Sequence, residues 1–472
     1  VIPLSLGEMA ALLGGTLHDA PDPAVRVTGS VEFDSRQVGP GGLFVALPGQ
    51  RHDGHDHAAA AVAAGAVGVL AARPVGVPAV LVPDVLAALG ELARVVLRRL
   101  PALTVVGVTG SSGKTSTKDL LAQLLARLGP TVAPPGSYNN EIGHPYTALK
   151  ATGSTRYLVL EISARGLGHI SRLCQIAPPR IGVVLNVGSA HLGEFGSREA
   201  VAQAKGELVE ALPTAAEGGV AVLNADDPLV VAMAGRTPAR AVWFGSRAWA
   251  DVRATGCATD GRGRPGYLLR AGGERAAVQL RCYGEHQVPN SLAAAAVAIE
   301  LGMPVAAVAE ALSAAEPQSR WRMEVTERAD GVTVINDAYN ANPESMQAAL
   351  RALAAIASRR PAGRGWAVLG QMAELGADSD REHELLGRLA ARQRARLVVV
   401  GAEAAAIRAG ALAEGAAARD AVPVPDWHAA VRLLHEELAA PDVVLVKASR
   451  AVGLERVALA LLAGQPTGGA RA

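Results

Sequence analysis

Residues 109–115 read Thr-Gly-Ser-Ser-Gly-Lys-Thr, set between an apolar run, Leu103 to Val108, and a helical pattern from Lys114 to Leu128. Strand, small-residue turn and helix in that order make a phosphate-binding loop. Thr109, Gly110, Ser111, Ser112 and Gly113 let successive backbone N–H groups turn toward an anion, and the helix N-terminus adds its partial positive charge. Lys114 can reach the outer phosphates of a nucleotide, and Thr115 can place its hydroxyl on the magnesium ion that accompanies them. Gly107 precedes Gly113 by six positions where the common form of this loop has five, so the spacing departs from the usual pattern. An ordinary Gly/Ser turn is the alternative reading.

Beyond the loop, apolar runs alternate with helical patterns: Tyr157 to Glu161, Ile181 to Val187, a helix around Arg198 to Leu212, and Gly219 to Asn224. This alternation predicts a doubly wound, mostly parallel α/β sheet with helices on both faces. The polar, Gly/Arg-rich stretch Ala254 to Gly273 predicts hairpins. Pro317 to Ser319 reads as a linker into a second α/β sheet of Rossmann-like type, with strands at Val332 to Asn336, Trp366 to Leu369, Leu397 to Val400 and Val443 to Val446. Ahead of the loop lies a small mixed α/β region. Its strands are expected near Val25 to Phe33, Leu43 to Leu47, Val67 to Leu70 and Ala79 to Val82, and its helices near His57 to Ala64 and Val85 to Leu100. The expected domains are residues 1–100, 101–317 and 318–472, with hinges near Pro101 and Pro317.

A chain of 472 residues, half of them apolar, can bury more than one core. Its net charge is +1, from 45 basic and 44 acidic residues without a basic tract, so neither nucleic acid nor an anionic membrane surface is an expected partner. Gly, Pro and charges break the apolar stretches short of a membrane span, and Val1 to Met9 lacks the character of a signal peptide. Cys174, Cys257 and Cys282 are unclustered and odd in number, which argues against a disulfide framework and a zinc site and fits a reducing cytoplasm. Only five of the basic residues are lysines: Lys114, Lys118, Lys150, Lys205 and Lys447. Where a lysine survives such a bias toward arginine, chemistry that needs an amine becomes a reasonable suspicion, although Lys118 and Lys150 also read as surface residues.

Several segments carry candidate chemistry. Glu161 ends its strand on the side of the loop, where a carboxylate can hold magnesium directly or through water; a solvent-facing acid is the alternative. His191 follows another strand and reads equally as a metal ligand or an ordinary loop histidine. Lys205 lies inside a helix; burial would leave it a neutral amine able to take up carbon dioxide as a carbamate, whereas at the surface it would snorkel. His286 and Asn290 precede a small-residue helix, where a cap is the plain reading. Asn336-Asp-Ala-Tyr-Asn-Ala-Asn-Pro gathers amides and a carboxylate at a sheet edge, and Lys447-Ala-Ser-Arg can bind an anion through Lys447 and Arg450.

Taken together, these segments resemble the Mur ligase family over nearly the whole chain. In front, Asp34-Ser-Arg, Gly42-Leu-Phe-Val-Ala-Leu and Asp53-Gly-His are similar to the uridine-nucleotide-binding domain of members that act late in cell-wall precursor synthesis. The loop, Tyr138-Asn-Asn with Gly143, Glu161, His191-Leu-Gly-Glu-Phe-Gly-Ser, Lys205, His286 and Asn290 match the central domain. Asn336 to Met346 and Lys447 to Arg450 look most like the branch that adds D-alanyl-D-alanine to UDP-N-acetylmuramoyl tripeptide.

The resemblance implies ATP and two magnesium ions. Lys114 would hold the β- and γ-phosphates, Thr115 and Glu161 one magnesium, and His191 with a carbamylated Lys205 the other. Asn290 would read adenine beside His286, with Arg320 and Asp337 at the phosphates and ribose. Asp34, Ser35 and Arg36 would face the uridine nucleotide. Asn139, Asn140, Tyr339, Asn340, Asn342, Lys447, Ser449 and Arg450 would contact substrate. A monomer is expected. Three positions depart from the family pattern: Gln371 where an acid is usual, although Glu374 is near, His57 where Phe is common, and Ser319 where Gly is frequent. A ligase adding a single amino acid, a folylpolyglutamate synthase-like ligase and a non-catalytic nucleotide-binding regulator are the rival readings.

Overall fold

Thr104–Thr109 is buried at all six residues, as a strand between two helical layers must be. It lies within a nine-stranded sheet whose order is Glu274–Gln279, Pro265–Ala271, Val252–Thr259, Arg240–Gly245, Val220–Asn224, Ile181–Val184, Thr104–Thr109, Tyr157–Glu161, Thr131–Val132. Every pairing from Thr131–Val132 to Val252–Thr259 is parallel; the last two are antiparallel. These antiparallel strands are the hairpins expected from the Gly/Arg-rich stretch, and Gly272 and Gly273, at φ 57° and 84°, make the left-handed pair a two-residue turn requires. The computed structural model describes residues 2–49, 52–188, 192–360 and 362–463.

Helices Lys114–Ala126 and Gln287–Glu300 pack together on one face of this sheet, with Leu121, Leu124 and Leu125 in one apolar cluster with Ala293 to Ala298. Alanines along most of the second helix allow the close approach. Helices Arg198–Glu210 and His169–Ile176 cover the opposite face through Leu208, Val201, Ile170 and Leu173.

The first region carries a five-stranded sheet, ordered Thr16–His18, Ala79–Leu81, Ala66–Ala71, Gly42–Val45, Val31–Glu32. The single strand expected over Val25 to Phe33 is two. Thr28 and Gly29 both donate their N–H to the Gly41 carbonyl, at 3.0 and 2.8 Å, and this turn sends Arg26–Val27 to pair with Leu4–Ser5 while Val31–Glu32 joins the larger sheet. Asp84 caps helix Val85–Arg98 by accepting from Leu86 N and Ala87 N. Leu89, Leu92 and Val96 of this helix share a cluster with Leu158 and Leu160 of the nine-stranded sheet, so the apolar core continues past Pro101.

The third sheet is ordered Glu324–Glu327, Thr333–Asn336, Val443–Lys447, Gly365–Leu369, Arg396–Val400, Ala421–Val424, parallel except at its first pairing. Its two edge strands escape the sequence pattern because both are short and partly exposed. Lys118, read above as a surface residue, is 2% exposed, whereas Lys150 lies exposed with its Nζ 4.3 Å from the Tyr146 ring centroid.

His144, fully buried in Gly143–Ala148, has its pKa pushed by burial from 6.5 to about 4. The unfolded chain therefore takes up this proton first. The contribution to stability is complete above pH 6.5 and is lost as pH falls toward 4. His144→Leu should flatten the acid side of the stability curve, read as urea midpoints between pH 7 and 4.

Candidate active site

Parallel register pairs Val108 with Glu161 and Thr109 with Val184, which brings the carboxyl ends of three strands together. The loop leaving Thr109 is held by Asn186. Its carbonyl accepts Ser111 N–H at 3.1 Å, its Oδ1 accepts Ser112 N–H at 3.0 Å and its Nδ2 donates to the Ser112 carbonyl at 3.2 Å. This contact ends the strand at Val184, short of the expected Val187. Gly113 turns at φ 82°, and a Cβ added there would stand 2.2 Å from Asn290 Oδ1. Both the turn and the neighbour demand glycine.

Lys114 opens the following helix and donates Nζ to the Gly110 carbonyl at 2.8 Å. Burial pushes its pKa below the ordinary lysine value; Glu161 opposes the shift and Arg322 adds to it. Thr115 Oγ1 donates to Glu161 Oε2 at 2.7 Å and lies 2.8 Å from Ser137 Oγ, while Asn139 Nδ2 donates to Glu161 Oε1 at 2.7 Å. Hydroxyl and carboxylate oxygens side by side suit magnesium, which takes few protein ligands and completes its shell with water and phosphate. Among the described residues no group of three or more His, Cys, Asp or Glu could cage a metal. One carboxylate with a hydroxyl fits the ion; a dedicated protein cage does not arise.

A cavity of about 950 Å³ opens over the loop. Its opposite wall is the carboxyl edge of the third sheet, where Asn336 and Val446 are register partners. Lys447 Nζ pairs with Asp337 Oδ2 at 2.6 Å and donates to the Asn340 carbonyl at 2.8 Å. Asn342 caps helix Pro343–Ala357 and sends Nδ2 across to the Ser111 carbonyl at 3.3 Å. Tyr339, Asn340, Ser449 and Arg450 also line this wall. Ser449 Oγ accepts Ala373 N–H at 2.8 Å, and the Arg450 guanidinium lies 4.3 Å from the Trp321 ring. His286 and Asn290 line one end, and burial pushes the His286 pKa down to about 4, leaving a neutral imidazole there.

Some expected site residues lie elsewhere. Arg320 is exposed and outside the cavity; Arg322 lines it instead. Trp321 and Met323 hold left-handed conformations at φ 59° and 49°, a local reversal that periodicity does not announce. Arg322 Nη2 donates to Ser137 Oγ at 2.6 Å, its guanidinium lies 4.2 Å from the Tyr339 ring, and its buried Nε has no partner. Thr109 and Gly110 form the floor beneath the loop rather than the cavity surface. Lys205 is 6% exposed and does not line the cavity, yet burial and the nearby Lys114 charge hold its pKa well below the ordinary value. His191 lies outside the described residues.

Asp34 and Arg36 form a two-pronged pair, at 2.9 and 2.8 Å, that lowers the Asp34 pKa. They and Ser35 are not cavity residues. An aromatic path joins this region to the cavity wall: Phe33 stands 4.9 Å from Tyr146, and Tyr146 5.6 Å from Tyr138, next to Asn139. Asn140 lines the cavity and accepts Gly143 N–H at 2.9 Å. Ser137 and Asn186 were not assigned from sequence, nor were Arg165, His169, Arg172 and Glu141, which line the same cavity. Asn186 could have been found as a polar residue just past a strand end; these basic residues carry no motif.

A phosphate loop on one sheet facing a Lys/Asp/Asn edge on another defines a nucleotide-dependent ligase. Three family models match in succession: Mur ligase family, catalytic domain, at residues 28–101; Mur ligase middle domain at 108–298; and Mur ligase, glutamate ligase domain, at 321–450. The chain belongs to the Mur ligase family. It is 54% identical to the UDP-N-acetylmuramoyl-tripeptide--D-alanyl-D-alanine ligase of Mycobacterium bovis over the whole of both chains. The Escherichia coli enzyme of that name is 36% identical, with 98% of this chain and 99% of that one covered. Among solved structures, MurF from Acinetobacter baumannii superposes with a TM-score of 0.85 at 30% identity, covering 98% and 99% of the two chains. MurF from Thermotoga maritima in complex with ADP gives 0.79 at 33% identity, covering 93% and 98%.

Gly113→Ala should abolish ADP binding in calorimetry while the chain stays folded. Asn290→Ala in the same chain should not restore it, because the left-handed turn remains.

Proposed function

We propose that this chain joins D-alanyl-D-alanine to UDP-N-acetylmuramoyl tripeptide at the cost of ATP, giving the pentapeptide precursor of peptidoglycan. The observation that carries this reading is one cavity lined by the phosphate loop, the Thr115–Glu161 pair, Arg322 and the Lys447–Asp337 pair. Full-length similarity to ligases of that activity supports the same substrates.

A carboxylate is a poor acyl donor, since its leaving group would be oxide. Transfer of the ATP γ-phosphoryl group to the tripeptide's terminal carboxylate makes an acyl phosphate; the dipeptide amine then attacks the carbonyl carbon and phosphate leaves. Lys114 holds the β- and γ-phosphates, and Arg322, with an unpaired buried Nε, offers them a further donor. His286 and Asn290 take the adenine end. Asp337 and Lys447 hold ribose and substrate carboxylate, and Asp34 to Arg36 take the uridine nucleotide. Thr115 and Glu161 would hold a magnesium ion, which would supply positive charge where two anions meet. A carbamate on Lys205, with His191, would hold a second magnesium ion; burial of Lys205 favours the neutral amine from which a carbamate forms. Residues 1–100 serve the uridine substrate, 101–317 serve ATP and 318–472 close over them, excluding water from the acyl phosphate. The enzyme works as a cytoplasmic monomer.

Phosphate release from ATP with UDP-N-acetylmuramoyl tripeptide tests the reading, with D-alanyl-D-alanine, meso-diaminopimelate or no amine as acceptor. Release with the dipeptide alone, with pentapeptide formed, is expected; release with the single amino acid points to another ligase of the family. Lys114→Ala and Arg322→Ala should each lower kcat/KM by about 10²–10³-fold. Lys205→Ala should be nearly inactive and regain turnover with added short-chain carboxylates, which stand in for the carbamate; no regain in steady-state assays would count against a carbamate.

A further inference from the structure

We propose that Asp119 and Gln123 are positioning residues, which set Arg322 over the phosphate loop by gripping the linker between the second and third sheets. The inference rests on the reading of that loop as the ATP site. Both residues lie on helix Lys114–Ala126, which starts at the loop, and they are one turn apart, so they share a face. Asp119 Oδ2 accepts the Ser319 N–H at 3.0 Å. Gln123 donates Nε2 to the Glu316 carbonyl at 2.9 Å and accepts the Glu316 N–H on Oε1 at 3.0 Å, so its amide pairs with the linker as a neighbouring strand would.

The second oxygen of Asp119 pairs with Lys118 Nζ, which also donates to the Pro134 carbonyl at 2.8 Å. Lys118 is 2% exposed and Asp119 7%. A buried ion pair of this kind adds little net stability, because desolvation offsets the Coulomb gain. Its geometric effect is definite: it fixes the carboxylate whose other oxygen holds a backbone N–H three residues before Arg322.

From Ser319 onward the chain has little freedom. Trp321 and Met323 are in strained left-handed conformations. The Trp321 carbonyl accepts Tyr339 N–H at 3.1 Å, and Met323 N donates to Asp337 Oδ1 at 2.9 Å. Arg322 stands between these anchors and returns to the nucleotide side at Ser137, which itself contacts Thr115. The contacts therefore form a ring: from Thr115 along the helix to Asp119, across to Ser319, through Arg322, and back by Ser137. Any displacement of the first helical turn is passed to Arg322 by both arms; Gln123 adds a second hold on the linker arm at Glu316, so releasing Asp119 or Gln123 loosens that arm while the Ser137 arm remains.

The test uses the full chain with Asp119→Asn, Gln123→Ala, Arg322→Ala and the two double variants containing Arg322→Ala. Asparagine keeps the volume of Asp119 but cannot accept from both Lys118 and Ser319. Each single change at 119 or 123 should lower kcat by about tenfold, with ADP affinity kept within about threefold, because geometry and not binding is lost. In the Arg322→Ala background the same changes should alter kcat by less than about twofold, the non-additivity of residues acting in series. Hydrogen exchange in residues 315–323 of the ADP-bound chain should speed up in both variants. Multiplying effects on kcat, an equal loss of ADP affinity, or unchanged exchange would overturn the proposal. Gln123, half-buried and uncharged, carries the test if Asp119→Asn fails to fold around Lys118. Should the wild type release no phosphate with any acceptor, the functional reading fails, while the exchange measurement still decides whether the helix grips the linker.

Discussion

The side-chain amide of Asn290 occupies the space a Cβ at Gly113 would need. Through this contact the phosphate loop is seated on helix Gln287–Glu300, and that helix in turn lies against Lys114–Ala126 through a run of alanines. Asn186 fixes the loop on one side by taking the Ser111 and Ser112 N–H groups, and Asn290 limits it on the other at Gly113. The remaining site geometry hangs from this loop: Lys114 and Thr115 are its next residues, and Glu161 meets Thr115 because strand register brings it to the same edge.

Charge explains what the site is built to receive. Lys114, Arg322 and Lys447 line one cavity with Lys205 buried nearby, and among the described residues only Lys447 of these four has a short ion pair, with Asp337. Burial pushes the pKa values of Lys114 and Lys205 down; Arg322 adds to the effect on Lys114, and Lys114 adds to that on Lys205. Such a cluster is costly without an anion and complementary to several phosphates with one. Burial and neighbouring cations thus both favour an anion at this end of the cavity.

Sequence disclosed the parts of this site that are local. The loop, Glu161 at a strand end, and the Asn/Asp/Tyr and Lys/Ser/Arg edges follow from strand, turn and helix patterns, and the structure brings them to one cavity. Arg322 escaped because the choice between it and Arg320 depends on two left-handed residues, neither of them glycine. Lys118 escaped because a charged helical residue normally faces water; its retention as lysine in an arginine-rich chain was the available clue. Arg165, His169 and Arg172 fall at helical spacing, with the last two on helix His169–Ile176, but that this face meets the cavity is decided by packing and not by the spacing. The split of Val25 to Phe33 into two sheets likewise depends on a turn closed by a distant carbonyl, that of Gly41.

The two outer regions are attached to the middle one in different ways. Helix Val85–Arg98 shares its apolar cluster with the nine-stranded sheet, so moving the first region would expose side chains such as Leu89, Leu92 and Leu158. Among the described residues the clusters of the third sheet are built from residues 323 onward, with Tyr283 packed on from outside and Gly263 close to Ile356. What joins that sheet to the loop is polar: Asn342 to Ser111, Arg322 to Ser137 and Gly193 N–H to the Glu374 carbonyl. Water can replace such bonds at small net cost, whereas it cannot replace buried leucine contacts. The third region is therefore the one held to the middle by the more readily exchanged contacts. The chain enters that region through residues 316–323, which helix Lys114–Ala126 holds through Asp119 and Gln123, so the segment that connects the two sheets is also the one that carries Arg322 to the cavity beside the phosphate loop.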